Sequence, residues 1–111
     1  MFEKIKKRDG RIVKFDSNKI NTAIQKAAKK TGEFDEKVAI KLSLKVLDLA
    51  EKEVKNKIPK VEEIQDIVEE VLLGSKYKKT AKEYITYRQE RTRTREAKAN
   101  LMQLYKTIAL A

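Results

Sequence analysis

The stretch FEKIKKRDGRIVKFDSNKI, residues 2–20, decides the fold. Two short segments flank Asp9-Gly10, and an Asp-Gly pair supplies the positive φ angles that a tight hairpin turn needs. A strict two-residue turn would pair Lys6 with Val13, whereas a longer loop would change that register, so the sequence leaves the buried face open. We therefore predict an amino-terminal β-hairpin.

Four helical segments are expected after the hairpin, because apolar residues recur at helical spacing between residues that cap or end helices. The expected starts are Asp16 or Ser17, Asp35, the residues after Pro59, and Thr80; the expected ends of the first three are Gly32, about Asn56, and Gly74. The second helix is very apolar, with Ile40, Leu44 and Leu47 widening its stripe, so we expect it to lie centrally in the core. The sequence predicts an α+β fold, mostly α, with a hairpin and a four-helix bundle.

A carboxyl-terminal helical extension is expected after the bundle. Its apolar residues again fall at helical spacing: Ala97, Leu101, Leu104, Tyr105 and Ile108. We therefore expect two parts, a compact domain of residues 1–92 and a linker or docking helix of residues 93–111. A stripe of this kind suits binding to another protein.

The composition closes most routes to catalysis. The 111 residues include no cysteine and no histidine, which excludes a disulfide framework, a thiol nucleophile, a Cys/His zinc cluster and an imidazole general base. We therefore expect a chain that is not an enzyme. No apolar run approaches the roughly 20 residues that span a bilayer, and the amino terminus is charged, so we expect a soluble, cytoplasmic protein with no membrane partner.

The charge favours an anionic partner. The formal net charge is +10, and residues 76–111 hold 10 basic but only 3 acidic side chains. Nucleic acid, a polyphosphate ligand, or simply a lysine-rich solvated surface would each account for this balance. The densest cationic element is residues 6–11, which can present cations to phosphates or be a solvated hairpin tip with edge-protecting lysines.

Motifs at the hairpin and on two later helices give the sequence a family resemblance. They are Lys7-Arg8-Asp9-Gly10-Arg11 followed by Phe15-Asp16-x-x-Lys19-Ile20, then Ile58-Pro59-Lys60-Val61-Glu62-Glu63-Ile64-Gln65, then Tyr87-Arg88-Gln89-Glu90-Arg91. In composition and spacing they resemble the ATP-cone, the small regulatory domain of ribonucleotide reductases and their repressors. The likeness covers residues 3–91 and is greatest to the amino-terminal cone of anaerobic, glycyl-radical ribonucleoside-triphosphate reductases, with archaeal-type and cobalamin-dependent reductases as close rivals.

The resemblance implies a hairpin that lies as a lid over the helices and covers one nucleotide, sometimes two. It implies an allosteric regulatory domain that binds ATP or dATP, with Mg²⁺, and controls the activity and oligomerisation of a ribonucleotide reductase. The implied partners are an adenine nucleotide and either the catalytic body of the reductase or another cone; nucleic acid is not expected. Because a reductase needs several hundred further residues, we expect an excised domain or a free-standing cone.

The resemblance also implies a set of site residues, position by position. The implied nucleotide-binding residues are Lys7, Arg8, Val13, Lys14, Phe15, Asp16, Lys19, Ile20, Val61, Gln65, Arg88 and Arg91. Lys7 and Arg8 match the pair that meets the phosphates, and residues 13–16 match the segment that lines the base and sugar. Ordinary core packing of Ile20 and a helix-surface position for Gln65 remain open alternatives.

Three positions depart from the family pattern. Val61 stands where many cones have Thr, so a hydroxyl contact is not expected there. Gln65 stands where relatives have His or Asp, and it can still donate or accept a hydrogen bond. Glu90 stands where many relatives have Lys, and we expect Arg88, with Arg91 second, to replace that cation.

Two other functions remain open. The run Arg91-Thr92-Arg93-Thr94-Arg95 and the tyrosines suit a small basic nucleic-acid-binding protein, or a transcription regulator of the reductase-repressor type lacking its zinc ribbon. Against this, arginines at every second position of a helix are spread around its axis. A helical adaptor that binds a protein through the stripe beyond Glu96 is the other alternative, and it is compatible with nucleotide binding.

Overall fold

The computed structural model describes residues 1–110, apart from the side chain of Leu110. Its elements are β1 (Lys4–Lys6), β2 (Ile12–Lys14), α1 (Asn18–Thr31), α2 (Glu36–Glu53), α3 (Val61–Leu73) and α4 (Lys78–Leu110). Ala111, the last residue of the expected 93–111 segment, lies outside the described residues. The predicted α+β fold, with a hairpin, four helices and a helical extension, is confirmed.

The hairpin turn is one residue longer than a strict two-residue turn. Ile5 pairs with Val13, and Lys7 donates its backbone N–H to the Arg11 carbonyl at 2.7 Å. Gly10 adopts a φ of 89°, the left-handed conformation that such a loop requires at this position. Because of this register, Ile5 and Val13 are half-buried while the alternating residues of both strands are exposed.

Backbone contacts fix the hairpin against the helices. The N–H of Lys6 donates to the carbonyl of Pro59 at 2.9 Å, and Lys6 and Lys60 form a parallel bridge. The Phe2 and Phe15 rings lie 5.7 Å apart at the base of the hairpin. The turn is therefore held beside the first turn of α3.

The helix ends largely follow the predicted signals. Asp35 caps α2 by accepting from the Val38 N–H at 3.2 Å, and Gly32 ends α1 with a φ of 71°. At the start of α1, Ser17 makes no side-chain cap, while the Asp16 carboxylate accepts from the Asn18 N–H at 3.0 Å. Helix α4 begins two residues before Thr80.

The four helices form a closed ring of contacts around one core. Helix α1 packs against α2 and α4, and α3 packs against the same two helices. The largest fully buried side chains include Ile24, Val46 and Leu72. The amino half of α4 closes the ring with Ala81 and Tyr84, which are 1% and 6% exposed.

The expectation that α2 lies centrally was wrong. Ile40 is 48% and Leu44 is 60% exposed, although Leu42 and Val46 on the neighbouring face are buried. Helix α2 packs mainly against α1 and α3, so one flank of α2 faces solvent.

Helix α4 continues without interruption for 33 residues. Up to residue 109, the large apolar residues of its second half are exposed: Leu101, Met102, Leu104, Tyr105 and Ile108. Between residues 1 and 110, no helix combines the length and the apolar character needed to cross a membrane.

Candidate functional site

A cavity of about 420 Å³ lies between the hairpin and helices α1, α3 and α4. The family resemblance implied twelve nucleotide-binding residues, and all of them line this cavity: Lys7, Arg8, Val13, Lys14, Phe15, Asp16, Lys19, Ile20, Val61, Gln65, Arg88 and Arg91. The size falls within the range of about 300–1,000 Å³ that is usual for small-molecule sites. The fold therefore brings together residues that are up to 84 positions apart in the sequence.

The cavity is strongly cationic. Seven basic side chains line it, namely Lys7, Arg8, Lys14, Lys19, Arg88, Arg91 and Arg95. Asp16 is the single carboxylate among its described lining residues. A concave surface with this excess of positive charge attracts anions.

Arg8 reaches from the hairpin turn to α3. Its guanidinium donates to the Glu62 carboxylate at 2.9 Å and to the Gln65 side-chain oxygen at 2.5 Å. The two charged side chains are 30% and 41% exposed, so solvent screens the pair only in part. A carboxylate of α3 thus neutralises the cation at the hairpin turn.

Arg88 is held more tightly than Arg8. Its Nη1 lies 2.8 Å from Asp66 and 3.0 Å from Glu69, and its side chain is only 18% exposed. Burial opposes the charged form, but the hydrogen bonds to the two carboxylates outweigh burial and raise the pKa of Arg88. An anion at Arg88 would compete with these two carboxylates.

Arg91 differs from Arg88, because no carboxylate within residues 1–110 forms an ion pair with it. Within the described residues, the ion pairs at the cavity engage Arg8 and Arg88. Arg91, together with Lys7 and Lys19, is therefore available to an incoming anion without displacing an acidic side chain.

An apolar wall faces the cations. It is formed by Val13 and Phe15 of the hairpin segment, Ile20 of α1, and Val61 and Ile64 of α3. Ile20 is 8% exposed, so it both packs in the core and lines the cavity. A planar apolar group can lie against such a wall while a charged tail meets the cations.

Tyr84 lies where the core meets the cavity. The residue is 6% exposed, and burial raises the pKa of its hydroxyl to about 12. The phenol at the cavity floor therefore stays neutral above the pH at which an exposed tyrosine ionises.

Seven lining residues were missed by reasoning from the sequence: Ile5, Ala23, Ile64, Val68, Tyr84, Tyr87 and Arg95. Helical spacing could have found several of them. Ala23 follows Ile20 by three positions, and Arg95 follows Arg91 by four. Arg91 and Arg95 thus share one face of α4 and, although arginines recur at alternate positions, turn towards the same cavity.

A second hollow of about 450 Å³ adjoins the cavity between α1 and α4. Lys19, Ala23, Tyr84 and Tyr87 line both spaces. The rim of the second hollow is also basic and includes Lys26, Lys29 and Lys30 of α1.

Comparison with known proteins agrees with the motifs. The chain is 43% identical over 104 residues to a vitamin B12-dependent ribonucleoside-diphosphate reductase of Thermoplasma acidophilum, covering 88% of this chain and 13% of that protein. It is 35% identical over 103 residues to the ribonucleoside-diphosphate reductase subunit alpha of Chlamydia pneumoniae, covering 83% and 10%. It is 34% identical over 95 residues to an anaerobic ribonucleoside-triphosphate reductase of Haemophilus influenzae, covering 86% and 13%.

The chain therefore spans only 10% to 13% of the length of these relatives. Both reductase types named from the motifs, the anaerobic and the vitamin B12-dependent, occur among them. The model of the family described as ATP cone domain matches residues 3–93, which include the hairpin, α1 to α3 and the core half of α4. From the motifs, the fold and this match, we conclude that the chain belongs to the ATP-cone family.

Proposed function

We propose that this chain is a regulatory domain that binds ATP or dATP in the cavity under the hairpin. Bound nucleotide then controls the activity and oligomerisation of a ribonucleotide reductase, the activity named for the relatives. The observation that carries the proposal is the convergence of the implied residues on one cavity with cations on one side and an apolar wall on the other.

The phosphates would bind at the hairpin turn. Lys7 and Arg8 lie on this turn, and Arg91 on α4 lines the same cavity without a carboxylate partner in the described chain. Charge-assisted hydrogen bonds from guanidinium groups to phosphates are among the stronger polar contacts of proteins. Arg91 would therefore make the direct phosphate contact, whereas a contact from Arg88 must compete with Asp66 and Glu69. This reverses the order expected from the motifs, in which Arg88 came first.

The adenosine would lie against the apolar wall. Val13, Phe15 and Ile20 can cover the faces of a purine, and Asp16 and Gln65 offer polar groups near its edges. Val61 carries no hydroxyl, so the opening of α3 contributes only an apolar contact.

Magnesium would arrive with the phosphates. Among residues 1–110 no cluster of three or more acidic side chains is placed to hold a metal ion, and Asp16 is the carboxylate on the cavity lining. Mg²⁺ commonly binds through phosphate oxygens, waters and one or two carboxylates, which fits this arrangement.

Regulation would act through the hairpin. A nucleotide that touches the hairpin, α1, α3 and α4 together favours the arrangement in which these elements are closest. A partner cone or the catalytic body of the reductase can respond to that arrangement only if it binds the nucleotide-bound domain and the free domain with different affinities. Arg91 and Arg95 turn towards the cavity, so the basic run does not favour the nucleic-acid alternative.

Charge reversal tests the proposal. Lys7→Glu with Arg8→Glu should weaken ATP binding by at least about 100-fold, because two charge-assisted hydrogen bonds are lost. Lys41→Glu with Lys45→Glu is the matched control, since it makes the same charge change at exposed positions of α2 that do not line the cavity. Isothermal titration calorimetry measures binding and circular dichroism verifies helix content. Unchanged affinity in the folded hairpin variant would refute the assignment.

A further inference from the structure

One cation of the cavity lies beyond the residues that the motifs assign. Arg95 is outside the family-matched stretch 3–93, on the part of α4 that continues towards Leu110. It lines the cavity with Arg8 and Arg91. It is half-buried, whereas its neighbours at 93, 94 and 96–99 are exposed.

Helix geometry explains the direction of Arg95. Arg88, Arg91 and Arg95 follow each other at spacings of three and four, so they occupy one face of α4. The Arg95 guanidinium also donates to the Thr92 hydroxyl oxygen at 2.9 Å. This bond restrains a long side chain that would otherwise be free to move in solvent.

Like charges accumulate around Arg95. Partial burial, followed by the nearby Arg8 and Arg91, lowers its pKa, and the carboxylates of Glu62 and Glu96 offset this only in part. The ion pairs formed around the cavity within residues 1–110 engage Arg8 and Arg88 but not Arg95. A bound anion would relieve this repulsion.

We propose that Arg95 binds the polyphosphate tail of the nucleotide and so extends the site beyond the family-matched stretch. This inference rests on the proposed function, and it adds a contact from the helix that leaves the domain. Because α4 is continuous from Lys78 to Leu110, phosphate bound by Arg95 contacts the helix that carries the exposed stripe of residues 97–108.

Arg93 provides a matched control for Arg95. Arg93→Gln removes the same charge two positions away on the same helix, but Arg93 is exposed and does not line the cavity. The full chain and the variants Arg95→Gln, Arg95→Lys and Arg93→Gln are titrated calorimetrically with ATP and with inorganic tripolyphosphate. Thermal unfolding without ligand is measured in parallel.

Arg95→Gln should weaken binding of both ligands by about fivefold or more, since it removes a hydrogen bond between charged groups. Arg93→Gln should change affinity by less than about twofold, Arg95→Lys should restore part of the loss, and added salt should narrow the difference. The unfolding temperature of ligand-free Arg95→Gln should not fall below that of Arg93→Gln, because a repulsion has been removed. A purely structural role for Arg95 would instead lower that temperature.

Equal affinities of Arg95→Gln and Arg93→Gln for both ligands would overturn the inference while leaving nucleotide binding intact. If the unmodified chain binds ATP no better than tripolyphosphate, adenine sensing fails, and the tripolyphosphate series still decides the role of Arg95. If the unmodified chain binds neither anion, both proposals are overturned.

Discussion

Replacing Glu62 with Gln tests whether this carboxylate competes with phosphate for Arg8. Glu62 pairs with Arg8 at 2.9 Å, and Arg8 is one of the two residues assigned to the phosphates. To bind Arg8, the phosphates of a nucleotide must break its ion pair with Glu62, and they are then repelled by the nearby carboxylate. Gln keeps the size and the hydrogen-bond acceptor but removes the charge. We therefore expect Glu62→Gln to bind ATP more tightly.

Two contributions set the magnitude. The Arg8–Glu62 pair is partly exposed, and such pairs contribute about 0.2–1 kcal/mol that the ligand no longer has to overcome. Repulsion between a carboxylate and a phosphate about 6 Å apart adds about 0.7 kcal/mol in a water-like dielectric. At 1.4 kcal/mol for each tenfold change, affinity should rise by about fivefold to twentyfold. A modest loss of stability, on the order of 0.3–1 kcal/mol, should accompany it because Glu62 lies in the first turn of α3.

Isothermal titration calorimetry with ATP at low and high salt measures this effect. Glu70→Gln is the matched control, because it removes an acidic charge at an exposed position of the same helix, whereas the ion pair with Arg8 is formed by Glu62. The gain of Glu62→Gln over Glu70→Gln should shrink as salt rises. Wild-type or weaker affinity in Glu62→Gln at low salt would refute the competition between Glu62 and phosphate.

Two further predictions concern stability. Leu72→Ala should lower the free energy of unfolding by about 2–5 kcal/mol, because this side chain is fully buried; Leu104→Ala, at a 57% exposed position, should change it by less than about 0.5 kcal/mol. Denaturant titrations followed by circular dichroism compare the two, and similar losses would contradict the arrangement of α4. The second concerns alkaline pH: burial raises the pKa of Tyr84 from 10.0 to about 12, so the folded protein keeps a proton that the unfolded chain loses. The resulting stabilisation is complete below pH 10 and is lost as pH rises to about 12, by about 2–3 kcal/mol. Tyr84→Phe should lack this loss, which unfolding measured across pH 9 to 12 would reveal.

The element order was predictable because strong local signals mark it. Asp9-Gly10 specified the hairpin, Asp35 capped α2, and Gly32 ended α1 in the left-handed conformation. These signals act within a few residues, so they do not depend on the tertiary structure. The register of the hairpin depends instead on the loop around Gly10, and the sequence alone was compatible with two loop lengths.

Helix α2 shows where pattern alone fails. Its apolar stripe is wide, yet Ile40 and Leu44 face solvent because α2 packs mainly against α1 and α3. How many neighbours a helix has is a property of the whole bundle and is not encoded in its own periodicity.

The site was predictable at the positions that carry motifs and less so elsewhere. Every residue assigned from the motifs lines the cavity, and their roles in binding remain predictions. Arg95 was missed for a physical reason, because it enters the site only through the continuity and the register of α4. Ile64 and Tyr87 lie within the motifs but were not assigned to the site. The boundary between residues 92 and 93 likewise remains a prediction, although α4 crosses it without a break.

Calorimetric titration of the full chain with ATP, dATP and GTP at physiological salt tests the central claim most directly. We predict saturable binding of ATP and dATP, with much weaker binding of GTP. The measured stoichiometry shows whether the hollow beside the cavity binds a second nucleotide. Equal binding of GTP, or no binding by a folded protein, would contradict the assignment of this cavity to adenine nucleotides.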